Sequence, residues 1–170
     1  MKYCIFVERI FDDEYFSKLI GFLKNKKPED VKLFCMTPAN YTLAIAEQGY
    51  EGSKNKLSDT MFVRYKDLQA LGFKIELHLH LSLSPKNMRY ELQEEMFEEA
   101  TQWMKENGFF CKQIAFGWYA YSEISLAIAK RLGLEHFEGR RYWHFHDYES
   151  PKQLGVVLSN IKHFVLGFKK

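Results

Sequence analysis

The chain has 170 residues, of which 46% are hydrophobic, 16% aromatic and 27% charged, a composition that builds one core without staples and describes a single globular domain over residues 1–170. A formal net charge of +2 without a long basic tract, and aromatics scattered rather than interleaved with Arg and Lys, argue against a nucleic-acid partner. No segment approaches the ~20 apolar residues that span a bilayer, the N-terminal apolar run is too short for a secretory signal, and Cys4, Cys35 and Cys111 are an odd, widely spaced set that reads as reduced thiols. The expected setting is the cytoplasm, with no membrane partner.

The elements alternate. Residues 2–8 read as a short apolar strand. Residues 14–25 follow as a helix with Phe16, Leu19, Ile20 and Leu23 at helical spacing and Asp12 or Asp13 as N-cap. Residues 31–37 form a second strand stopped by Pro38, residues 40–49 a short helix, residues 52–58 an exposed loop and residues 66–71 a short helix ended by Gly72. A strand over residues 75–83 leads to an amphipathic helix whose apolar stripe is Leu92, Met96, Ala100, Trp103 and Met104, ending before Gly108. Residues 112–116 are a strand, and residues 122–132 a helix capped by Ser122 and ended by Gly133. Ser150-Pro151 opens a last helix that runs to Phe168. Such β-α alternation predicts an α/β fold with a mainly parallel sheet, helices outside it, and ligands gathered at the C-terminal strand ends.

The strand over residues 75–83 carries the strongest chemical signal. Successive side chains face opposite ways, so Ile75, Leu77, Leu79, Leu81 and Leu83 make one face and Glu76, His78, His80 and Ser82 the other. Two imidazoles on one side of a strand stand close enough to share an ion. The bland reading is an antiparallel strand whose polar face meets water. A parallel strand with one polar face instead lines a cavity, and here the histidines are expected to point into the concave side of a barrel-like sheet. Two further polar clusters fall at strand ends: Glu8 to Glu14, and His144-Phe145-His146-Asp147 between Trp143 and Tyr148.

The order of motifs resembles the NodB-homology, or polysaccharide deacetylase-like, family. Phe11-Asp12-Asp13 is similar to that family's Asp-Asp pair after the first strand, and the segment from Gly72 to His78 resembles its metal-histidine segment. The segment from Phe116 to Ser122, with Lys130-Arg131-Leu132-Gly133-Leu134, resembles the later aromatic-Gly loop and its helix end, and His144-Phe145-His146 matches the late histidine motif. The resemblance implies a compact, distorted or incomplete (β/α) barrel binding one divalent ion, zinc first, with cobalt, nickel or manganese as alternatives. It implies a hydrolase of a carbon–nitrogen bond, such as an N-acetyl group of a sugar or a small amide. Carried over by position, Asp12 is the general base, Asp13 and His78 are metal ligands and His146 or His144 is the acid; His80 is expected to complete the ligand set, and Trp118, Tyr119 and His144 are expected to contact the small-molecule or carbohydrate substrate. The family places its second metal histidine four residues after the first, where this chain has Ser82, and His80 substitutes from the same strand face. The family's third-motif Arg is missing at Phe116-Gly117. Glu8, at the strand end itself, competes with Asp12 and Asp13 for the acidic role.

Other readings stand beside this one. Asp12 and Asp13 can serve only as helix caps, His144 and His146 can lie on a surface strand, and His136 and His163 read as ordinary packing or surface residues. Trp118, Tyr119 and Tyr121 can pack under a helix or stack on a sugar, and Glu76 can orient an imidazole or face water. His78-Leu79-His80 also resembles the His-x-His of metal-dependent phosphoesterases and amidohydrolases, which carry it on the first strand of a longer barrel. The third class is non-catalytic: a degenerate deacetylase-like barrel that has lost its metal site and binds a carbohydrate or a partner protein.

Overall fold

The computed structural model describes residues 3–45, 54–81, 85–117, 120–138 and 143–145, so the helix expected from Ser150 onward lies outside the described residues. Six strands, β1 (Tyr3–Val7), β2 (Val31–Cys35), β3 (Ile75–Leu79), β4 (Gln113–Phe116), β5 (Glu135–His136) and β6 (Trp143–Phe145), form one sheet in the order β5-β4-β3-β2-β1-β6. All five neighbouring pairs are parallel. The helices are α1 (Asp13–Leu23), α2 (Pro38–Ile45), α3 (Lys54–Ala70), α4 (Tyr90–Glu106) and α5 (Glu123–Arg131). The expected α/β class with a parallel sheet is therefore present.

From β1 to β5 each strand lies beside its predecessor, so every crossover steps in the same direction. Parallel crossovers share one hand, which lays their helices on one face of the sheet. The packing agrees: Ile5, Val7, Leu33, Cys35, Ile75, Leu77, Leu79, Ile114 and Phe116 share a core with Leu19 of α1, Tyr65 and Leu68 of α3, Phe97 and Met104 of α4, and Ile128 of α5. The opposite face holds a smaller apolar cluster of Cys4, Phe34 and Ala115, with Phe6 and Phe137 against it.

Ring contacts on that second face reveal the sheet's curvature. Phe34 on β2 stacks on Phe137, just past β5, at 4.7 Å between centroids. Three interstrand spacings would hold them roughly 14 Å apart on a flat sheet. Phe6 on β1 and His78 on β3 meet at 4.8 Å, where two spacings on a flat sheet give roughly 10 Å. The sheet curls, and the face opposite the described helices is concave.

Several elements differ from their sequence expectation for local reasons. Residues 54–58, part of the expected loop, open α3 instead, because Leu57, Met61, Tyr65 and Leu68 recur every three or four residues and are all buried. In α4 the buried face is Gln93, Phe97, Ala100 and Met104, rotated from the expected stripe, and Leu92 is exposed. Gln93 can lie inside because its amide donates to the carbonyls of Pro85 and Met88 and accepts from the Ser125 hydroxyl. The strand over 75–83 is shorter than expected, ending at Leu79 and leaving His80 just beyond it. The caps follow expectation: Asp12 accepts the Tyr15 N–H, and Ser122 and Ser125 form a capping box.

Candidate metal centre

The sheet register sets the site. Val7, Cys35 and Leu77 are level across β1, β2 and β3, so the next residues, Glu8 and His78, stand level at the C-terminal edge with one strand between them. The Glu8 N–H donates to the Phe6 carbonyl at 3.1 Å, turning the chain as β1 ends. Curvature then does the rest, bringing the Glu8 carboxylate over the concave face to both imidazoles. Glu8 Oε1 lies 3.1 Å from His78 Nε2 and 3.5 Å from His80 Nε2, and the two Nε2 atoms are 2.9 Å apart. Among the described residues this is the group of His, Cys, Asp and Glu side chains whose donor atoms converge as a metal site requires.

The protonation pattern follows from the neighbours. His78 Nδ1 lies 3.0 Å from the Ala115 carbonyl, which can only accept, so Nδ1 carries the hydrogen and the neutral ring presents a lone pair at Nε2. That lone pair faces a carboxylate oxygen and a second imidazole nitrogen. One proton on His80 Nε2 satisfies a single edge of this triangle, whereas one cation satisfies all three atoms together. An ion held about 2.0–2.1 Å from three donors at tetrahedral angles sets those donors roughly 3.3 Å apart and keeps a fourth position for water or substrate. The observed separations of 2.9, 3.1 and 3.5 Å straddle that distance.

Burial tunes both partners. His78 is 2% exposed and rests on the Phe6 ring. Burial therefore holds its pKa below the ordinary imidazole value, although hydrogen bonding to Glu8 pulls the other way. Its neutral, ligating form is favoured. Burial pushes the Glu8 carboxyl up, but hydrogen bonds and charge from His78 and His80, once those rings carry protons, outweigh it and hold the group well below the usual carboxylate range. Glu8 remains half exposed, which leaves the triangle open on that side. Below it lies an apolar floor of Phe6, Phe34, Cys4 and Ala115. The Cys4 thiol is driven upward by burial and stays protonated, so it does not compete as a ligand. None of the three cysteines is in a disulfide.

The other expected site residues are placed as follows. Asp13, expected as the acidic ligand, is 93% exposed and pairs with Arg64 of α3, so the carboxylate that reaches the histidines is that of Glu8. The same Arg64 donates to the Ile10 carbonyl and lies over the Phe16 ring, tying the loop after β1 to α3. Asp12, expected as base, has one oxygen on the Tyr15 N–H and the other on Arg9, and those bonds hold its carboxyl below the usual range. His144 lies in β6 at the register position of Cys4. Trp118, Tyr119 and His146 lie outside the described residues. Glu76 neither orients an imidazole nor faces water. Buried at the base of the concave face, it accepts the N–H groups of Lys112 and Gln113, both at 2.7 Å. His136 packs against the rings of Phe116 and Tyr121.

Comparison of the chain with protein-family models, with curated proteins and with solved structures finds no match in any of the three. Among the described residues, no helix is long and apolar enough to cross a membrane.

Proposed function

We propose that the chain is a metal-dependent hydrolase with one divalent ion held by Glu8, His78 and His80 at the C-terminal rim of a curved, incomplete (β/α) barrel. The observation that carries the site is the convergence of three lone-pair atoms, with the His78 tautomer fixed by Ala115. The barrel reading is supported by the strand order, since β6 pairs with β1 while β5 ends the other edge, the order of a closed circle opened between its last two strands. The motif order, which resembles the NodB-homology family, directs the chemistry toward a carbon–nitrogen bond of an N-acetylated sugar or small amide.

A bound divalent ion lowers the pKa of a coordinated water and polarises an amide carbonyl. The chain's own residues hold the ion, keep His78 in the ligating tautomer and exclude water from beneath, so substrate approaches from the open side at Glu8. Asp12 is better suited to capping α1 than to taking a proton, because both its oxygens are engaged. That engagement, with Asp13 on Arg64, favours a second reading: a barrel that binds an ion and a ligand without turnover. The deciding experiment is an assay of the purified protein, loaded with zinc, cobalt or manganese, on N-acetylated sugars and small amides. A hydrolase gives a metal-dependent rate that His78→Ala abolishes. Folded, metal-loaded protein with no rate above background rejects it in favour of the binding-only barrel.

A further inference from the structure

His80 stands one residue past the end of β3, where neither neighbouring strand continues to hold it. β2 has already ended at Cys35, and Pro38 begins α2. Into that gap comes Asn40, 3% exposed, whose side chain imitates a strand partner. Its Oδ1 accepts the His80 N–H at 2.9 Å, and its Nδ2 donates to the His80 carbonyl at 2.7 Å. Both backbone groups of a single residue are thereby held by one carboxamide, 40 residues away in sequence.

The ring is seated by a second residue. β4 ends at Phe116, level with Leu79, and the next residue is Gly117. A methyl group built on Gly117 would overlap the His80 imidazole at Nδ1, Cε1 and Cγ. The ring therefore occupies the volume that any other residue's Cβ would take. Its backbone is not in the left-handed region that favours glycine, so conformational freedom does not account for the residue here.

We propose that Asn40 and Gly117 are positioning residues for the ion site, Asn40 fixing the His80 backbone and Gly117 providing the space in which its ring turns toward Glu8 and His78. The proposal rests on the metal reading above, and its test separates the two. Cobalt(II) alone is titrated into wild type, His80→Ala, Gly117→Ala, Asn40→Ala and the two double variants that add His80→Ala, reading affinity and the ligand-field absorption of the bound ion, with thermal unfolding measured on each without metal.

Gly117→Ala and Asn40→Ala are expected to weaken cobalt binding about 10–100-fold, the usual effect of losing a group that orients a ligand, and to shift the absorption toward that of His80→Ala. In the His80→Ala background neither substitution should weaken binding further. Alanine at 117 should also lower Tm alone and regain much of that loss once the imidazole is removed. Gly117→Ala that fails to fold while His80→Ala/Gly117→Ala folds supports the same seating. Wild-type affinity and spectrum in both single variants would overturn the proposal, as would a Gly117→Ala defect that persists unchanged without His80. If wild type itself binds no cobalt, the metal reading fails, while reversal of the Tm loss still reports whether Gly117 seats His80.

Discussion

The two faces of β3 are both buried, yet they are built from opposite chemistry. Leu77 and Leu79 face the helices at 0% exposure, and His78 faces the concave side at 2%. On the helix face, burial of apolar surface is itself the stabilising event. On the concave face burial removes polar groups from water, and each must find a partner or a proton to offset the loss. Glu76 finds backbone N–H groups and His78 Nδ1 finds a carbonyl. What remains is the Glu8 carboxylate, the His78 lone pair and His80 Nε2, converging on one point. A polar cluster that its own neighbours satisfy is structural, whereas one left needing positive charge is suited to bind an ion.

The largest effect should come from the apolar face. Leu77→Ala removes a fully buried side chain and should cost about 2–5 kcal/mol in urea unfolding. Cobalt stoichiometry of the folded fraction should stay at the wild-type value, and a variant that kept its stability but lost the metal would break the division between the faces.

The concave face should instead make the metal-free protein sensitive to acid. Burial holds His78 below the 6.5 of an ordinary imidazole, so the unfolded chain binds more protons as pH falls through that value and the folded state loses stability from there downward. One proton contributes at most about 1.4 kcal/mol per pH unit. Glu8, held low by its imidazoles against the pull of burial, adds a further loss below its ordinary 4.5. Urea midpoints with chelator present should fall between pH 7.5 and 5.5, and equal midpoints would contradict the burial of a neutral imidazole.

The smallest effect is expected at the start of α1, away from both faces. Asp13→Ala removes an exposed carboxylate paired with Arg64, a change of about 0–1 kcal/mol in stability. It should leave cobalt affinity untouched. A large loss of affinity would return Asp13 to the ligand set in place of Glu8.

The strand alternation at Ile75 to His80 was readable from sequence because a period of two needs no tertiary information. The caps Asp12 and Ser122 were readable for the same reason, being local. What escaped the sequence is long-range. Arg64 lies 51 residues from Asp13 and takes it out of the site, and sheet curvature delivers Glu8 across an intervening strand to the histidines. Gln93 and Asn40 are polar residues whose burial depends on distant partners, Ser125 and the His80 backbone, that no local pattern announces. Gly117 stood in the aromatic loop, but its meaning depends on the ring it faces. The clue available for Glu8 was its position at the strand end, ahead of the more conspicuous Asp-Asp pair.

Metal titration of the purified protein tests the central claim most directly. Stripped wild type, Glu8→Ala, His78→Ala and Asp13→Ala are each titrated with cobalt(II) and zinc, and bound ion is counted per chain. The geometry predicts one equivalent in wild type and Asp13→Ala, and steep loss of affinity in Glu8→Ala and His78→Ala, each left with two protein ligands. No saturable binding by wild type, or binding that survives removal of both Glu8 and His78, would contradict it.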